Sequence, residues 1–354
     1  MKNAFLQRGL SLIELMVAML ISLLLLGGVL QVFISSKDTY RTNTALSRVQ
    51  EAGRFATEFI AFDIRQAGYK GECLIEPLNH LDLASETADI RNAYSTSPAI
   101  QGWDNTKPVI FLSSESTRAD TDAFIIKYAG DGLEFEAGGT NNRTAQSLTV
   151  DTSTSAYAGQ IILLANSTGC DIFQNSNNQS ASAFQKAGGN VDPGNINQNW
   201  SQSYGGKMTA HVLRSHTYYI RENAGRLPSL VRKVLSPARA DEELVEGIID
   251  MQVTYGLDDD GDRLADRYVK AGTNNLNANG VGAWEKVVSA RISLLSISPE
   301  TNVLDQQQQF VYPPASGINK EDAYAIYDDG TVTIKDNRVA QVYTTTVAIR
   351  NRLP

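Results

Sequence analysis

The sequence predicts an α+β protein: one long N-terminal helix, half transmembrane and half amphipathic, packed on a β-rich C-terminal head. Three observations carry this. An apolar run with a single charge opens the chain, and a proline-free stretch with helical apolar spacing follows it directly. From about Gly71, β-branched and aromatic runs then alternate with polar turns. Of 354 residues, 42% are hydrophobic and 20% charged, so the head has enough apolar side chains for a packed core.

Met1 to Gly9 reads MKNAFLQRG, a short positive segment. Leu10 to Ile34 is a predominantly apolar run, with Glu14 as its one charge. At 1.5 Å per residue this run spans roughly 37 Å, enough to cross a hydrocarbon core. Lys2 and Arg8 precede it and belong on the cytoplasmic side, which sends the rest of the chain outward. A cleaved secretory signal would need a small-x-small site after the apolar run. Ser35-Ser36-Lys37 is a poor one, and Gly27-Gly28 comes too early. A plain signal anchor leaves Glu14 unexplained, because a carboxylate costs about 2.5–3.5 kcal/mol at the centre of a membrane helix, and less towards its end.

From Lys37 to Ala67 the helical pattern continues. Ala45, Val49, Ala52, Ala56, Phe59 and Phe62 follow three- and four-residue spacing, with Arg48, Glu51, Arg54, Glu58 and Arg65 largely elsewhere. Gly68 is a natural stop, which gives one helix of roughly 87 Å. The chain thus divides into a leader (1–9), a membrane helix (10–34), its amphipathic continuation (35–68) and an extracytoplasmic head (69–354).

Gly9-Leu10-Ser11-Leu12-Ile13-Glu14 resembles the processing site of type IV prepilins and pseudopilins. The resemblance implies that a prepilin peptidase cuts between Gly9 and Leu10 and that the new amine of Leu10 is methylated. Leu10 stands where most major pilins have phenylalanine. Glu14 becomes the fifth residue of the mature chain, and the resemblance implies that it pairs with the terminal amine of a neighbouring subunit in the filament core.

Strand-like runs in the head are Ala123–Tyr128, Gln160–Ala165, His211–Ile220, Leu244–Tyr255, Val287–Ile297 and Val339–Ile349. The polar stretch from Gln174 to Gly206 reads as a surface excursion or a binding loop. The length fits either a single head or two fused lobes. The two cysteines, Cys73 and Cys170, lie in the exported part, where one disulfide is the natural reading and two unpaired buried thiols the alternative. Closing a loop of roughly a hundred residues is worth about 4–5 kcal/mol in the chain-entropy model.

The head also resembles PilW-type minor pilins in three patches. These are Asp63-Ile64-Arg65-Gln66-Ala67-Gly68-Tyr69 before Cys73, Gly169-Cys170 before Phe173, and Val245-Glu246-Gly247-Ile248 leading to Tyr255-Gly256. The resemblance implies a pilin-like head and a minor pilin that takes part in type IV pilus assembly, in a tip-proximal initiating complex. Its partners would be other minor pilins, the major pilin and a tip adhesin, in support of twitching motility, adhesion or DNA uptake. Localisation would be the bacterial inner membrane, with a single pass and a periplasmic head, and then the pilus. The alternative is a minor pseudopilin of a type II secretion system, which shares the processing signal.

Asp258-Asp259-Asp260-Gly261-Asp262-Arg263-Leu264-Ala265-Asp266 is the sharpest chemical feature of the head. Asp258, Asp260, Asp262 and Asp266 fall at positions 1, 3, 5 and 9 of a calcium-type loop, with the Leu264 carbonyl at position 7. Arg263 stands at the sixth position, where a glycine normally makes the turn, and Val269 stands where a bidentate glutamate would. A solvated acidic hairpin tip is the competing reading. Calcium, in a structural role, is the one cofactor the sequence suggests.

Other classes find little support. A net charge of −8 argues against a general nucleic-acid-binding face. The three histidines, His80, His211 and His216, lack zinc-ligand spacing. There is no nucleophile elbow, metal-hydrolase signature or phosphate loop, so no enzymatic activity is expected.

Overall fold

The computed structural model describes residues 11–106, 116–139, 141–186, 193–236, 240–274, 276, 281–312 and 317–352. Helix α1 (Leu12–Gln66) has 55 residues, about 82 Å at the usual rise. Residues 12–40 are exposed along their whole length, and this half is apolar and long enough to cross a membrane. The outer half buries Ala45, Val49, Gly53, Ala56, Ile60, Ala61, Asp63 and Ile64. Phe59 and Phe62, read from spacing as part of the packed stripe, are 40% and 61% exposed. The helical repeat of 3.6 places the stripe through Gly53, Ile60 and Ile64 instead, and small residues there let the helix lie close to the head. Gly68, at φ +77°, ends the helical path, and its N–H donates to the Lys127 carbonyl.

Eighteen strands follow among the described residues. The first ten are β1 (Leu78–Asn79), β2 (Ile100–Trp103), β3 (Ala123–Glu136), β4 (Ser147–Thr149), β5 (Ile161–Ala165), β6 (Cys170–Gln174), β7 (Ala183–Gln185), β8 (Lys207–Arg221), β9 (Ser229–Ser236) and β10 (Glu242–Glu246). Eight of them form one sheet in the order β1-β6-β5-β8-β3-β2, with β9 beside β8 and β10 beside β9. One edge of the long strand β8 is shared, pairing with β5 through 209–212 and with β9 through 215–221. Strands β4 and β7 form a separate pair.

The remaining strands are β11 (Ile248–Leu257), β12 (Arg267–Lys270), β13 (Val287–Ile297), β14 (Gln309–Val311), β15 (Asn319–Glu321), β16 (Ala325–Asp328), β17 (Thr331–Ile334) and β18 (Ala340–Ala348). A second, antiparallel sheet runs β12-β11-β13-β18, and a third runs β14-β17-β16-β15. The third is inserted between β13 and β18 and packs on the second through Ile249, Leu295, Ile297, Tyr312, Tyr327 and Ile334. Helix α1 lies against the second sheet, where Gly53 leaves room for the Tyr343 ring. A Cβ at Gly53 would sit 2.0 Å from that ring. The Tyr343 hydroxyl donates to the Val49 carbonyl at 3.2 Å.

One apolar cluster joins α1, the first sheet and the second: Ile60, Ile64, Phe124, Tyr218, Met251, Ile292 and Val347 all belong to it. A shared core of this kind favours the single-head reading. The predicted run Leu244–Tyr255 is two strands, broken at Gly247 (φ +90°). The polar excursion is also corrected in its described part. Phe184, Trp200 and Tyr204 are buried in a cluster with Phe135 and Phe173, and Asn175 and Asn195 hold the backbone around them.

Candidate functional site

Gly9 and Leu10, the expected processing site, lie outside the described residues. Immediately after them, Ser11 caps α1. Its hydroxyl accepts the Glu14 N–H at 3.2 Å, and the Glu14 carboxylate accepts the Ser11 N–H at 3.0 Å. This reciprocal capping box satisfies two helix-start donors. The Ser-x-x-Glu spacing was present in the sequence, and it signals this capping role. Within a single chain Glu14 holds its own helix start, and both residues are exposed.

At the other end, α1 is tied to the head by a buried polar knot. Asp63 is 1% exposed. Its Oδ2 accepts from the Tyr218 hydroxyl at 2.6 Å and pairs with His216 Nδ1 at 2.8 Å, and Arg232 Nη1 lies at 3.3 Å. Two further N–H groups of Arg232 donate to Glu242 Oε2 at 2.9 and 2.6 Å. Burial would raise the Asp63 carboxyl, but the hydrogen bond and charge of His216, the Tyr218 hydroxyl and the Arg232 charge hold it below the usual carboxylate range. Sequence reading did not find this knot, because its members come from α1, β8, β9 and β10.

Cys73 and Cys170 form a disulfide across 97 positions, with Cα atoms 5.7 Å apart. It fastens the segment leaving α1 to the start of β6, within a cluster that includes Leu81, Leu163 and Leu213. Nearby, Asp171 is fully buried and accepts from Tyr204 and Ser201 while pairing with His80 Nε2 at 2.6 Å. Ser201 donates to the aspartate and not to the histidine, so the trio braces the fold and does not form a nucleophile–base pair.

The acidic loop joins β11 to β12. Carboxylate oxygens of Asp258, Asp260 and Asp262 lie within 4.8 Å of one another. Arg263 adopts φ +68°, so the sixth position makes the left-handed turn without a glycine. Backbone N–H groups of Gly261 and Arg263 reach Asp258, that of Asp262 reaches Asp260, and that of Leu264 reaches Asp262. Asp266 is not drawn into the group; its carboxylate takes the Asp259 N–H at 2.8 Å. Asp259 pairs with Arg267 at 2.6 Å. Of the four aspartates predicted as ligands, Asp258, Asp260 and Asp262 are thus clustered and Asp266 is turned to the Asp259 N–H. Clustered carboxylates in a tight turn are of the chemical type that hard, oxygen-binding cations take.

An apolar helix that is exposed over its first half and packed over its second half across an antiparallel sheet is consistent with a pilin-like α+β fold. Residues 5–30 match the family model described as the prokaryotic N-terminal methylation motif, and residues 217–351 match that of type IV pilus-assembly protein W. The two matches support a PilW-type type IV minor pilin. The second covers β9 to β18 with most of the junction knot, and the first covers Gly9, Leu10 and Glu14. No curated protein and no solved structure matches the chain. Pilins are structural proteins, and the methylation motif implies handling by a prepilin peptidase.

Proposed function

We propose that this protein is a minor pilin that takes part in type IV pilus assembly, in a tip-proximal initiating complex with other minor pilins and a tip adhesin. The observation that supports it most is the division of α1. Residues 12–34 expose an apolar surface that finds no partner among the described residues, while 45–64 pack on the head. A free apolar helix of this kind is suited first to a bilayer and then to a bundle of like helices. On this reading residues 10–34 cross the inner membrane and the head lies in the periplasm. The peptidase cuts between Gly9 and Leu10, and Leu10 is methylated. Glu14 then exchanges its Ser11 N–H for the terminal amine of a neighbouring subunit. The loop of Asp258, Asp260 and Asp262, with the Leu264 carbonyl, binds calcium as a structural ion; recruitment of Asp266 would require it to release the Asp259 N–H.

A deletion strain tests the assembly role. Twitching motility and surface pili should fall while exoprotein secretion persists. Loss of secretion with intact motility would instead assign the chain to a type II secretion system.

A further inference from the structure

Strand β18 pairs with β13 along nine residues, from Ala340 to Ala348, and no strand lies on its other side among the described residues. Its sequence, Ala-Gln-Val-Tyr-Thr-Thr-Thr-Val-Ala, holds neither charge nor proline. Proteins usually protect such an edge with charge, proline or shortness. The other terminal strands of the three larger sheets do so: each has five residues or fewer, and β10, β12 and β15 carry charges. Strand β18 is the long, uncharged exception.

The open hydrogen-bonding groups can be placed. The Ile349 N–H donates to the Val288 carbonyl and the Ser298 N–H to the Val339 carbonyl, so odd-numbered residues of β18 bond inward to β13. The N–H and C=O groups of Val342, Thr344 and Thr346 therefore point outward. Among the described residues only the end is covered, where the Ala340 N–H donates to Gln308 Oε1 at 2.6 Å. Above this edge, α1 and β18 enclose a groove of about 630 Å³ lined by Arg54, Glu58, Arg65, Gln341, Tyr343 and Thr345. Arg54 stacks on Phe55, and neither Arg54 nor Arg65 has a carboxylate partner among the described residues. The two guanidinium groups outnumber Glu58, and Arg350, also exposed, follows the end of the strand.

We propose that this edge receives an extended acidic segment of a neighbouring pilin subunit, added as a fifth strand beside β18 and beneath Arg54 and Arg65. Main-chain hydrogen bonds to Val342, Thr344 and Thr346 supply the attachment. Carboxylates on alternate residues of the incoming strand, facing α1, supply the choice of partner. The proposal rests on the pilus-assembly reading for the source of the strand, and it names the surface used.

The test uses the full-length chain in detergent and a fluorescein-labelled nine-residue peptide alternating valine with glutamate, read by anisotropy. Thr344→Pro removes one outward N–H and leaves the inward main-chain bonds of β18 in place, at the loss of the Thr344 hydroxyl contact with Ser293. Arg54→Glu with Arg65→Glu reverses the groove charge at exposed positions. Each change should weaken binding at least tenfold, and a peptide with lysine in place of glutamate should bind at least tenfold more weakly to the unaltered protein. No binding of the glutamate peptide at millimolar concentration, equal binding of the lysine peptide, or indifference to the arginine changes would overturn the proposal. The peptide reports only on the edge, so such a failure leaves the assembly reading standing; that reading is tested in cells.

Discussion

Asp63 shows how a single side chain can join two parts of this molecule. It sits on the helix, and its partners His216, Tyr218 and Arg232 sit on the sheet, so the helix–head junction depends on its charge. Asp63→Asn should cost about 3–5 kcal/mol, the usual loss when one partner of a buried ion pair is removed. The folded carboxyl titrates below its unfolded value, so its contribution is complete above about pH 4 and is lost as pH falls further. Urea denaturation of the full-length chain in detergent from pH 2.5 to 7 should therefore show an acid limb that Asp63→Asn flattens. An unchanged limb would contradict the role given to Asp63. Asp250 has the opposite sign, because burial pushes its carboxyl up to about 6. Stability is thus drawn down as pH rises from about 4 through 6, and Asp250→Asn should remove that slope and raise stability at pH 7 relative to pH 4. At Gly53 the sign is steric: Gly53→Ala must displace the Tyr343 ring and should cost about 1–3 kcal/mol in the same assay.

Among the elements, those with local causes were the legible ones. Val287–Ile297 reads correctly because every residue but Arg291 is buried and Val, Ile, Leu and Ala make up most of the run. Helix α1 reads correctly because an apolar run passes without proline into a periodic one. The break at Gly247 was missed because Leu244 and Val245 stand just before the apolar start of β11, Ile248-Ile249, and read with it as one run. The folded part of the Asn-rich segment was missed because Trp200 and Tyr204 are too sparse to set a period, and its order comes from amide side chains bonded to backbone. Which strand edge stays open cannot be read from one strand's sequence, since that depends on topology. The disulfide was legible from cysteine count and compartment, and the structure makes the pair. Replacing both cysteines, Cys73→Ser with Cys170→Ser, should cost about 4–5 kcal/mol in the chain-entropy account. A loss under 1 kcal/mol by denaturation would show that the tie constrains little. For the loop between β11 and β12, calorimetry with calcium should give a binding heat that Asp260→Ala abolishes, and no heat with the unaltered protein would end the calcium proposal.

For the whole molecule, the proposed function has one helix serve two environments in turn, a bilayer and a filament, while its outer half carries the head. On that proposal Glu14 is the residue on which the change of environment turns, and the capping box sharpens what must be asked of it. Alanine at this position removes both the cap and the charge, so its failure alone would be ambiguous. Glutamine keeps the capping geometry, since either residue serves at that helix position, but removes the charge. The most direct measurement is the amount of this protein in sheared pili from a deletion strain expressing Glu14→Gln, with leader removal checked by intact mass of the membrane fraction. The account predicts normal processing and at least a tenfold loss from pili, as for Glu14→Ala. Incorporation of Glu14→Gln at the unaltered level would contradict charge pairing as the basis of assembly.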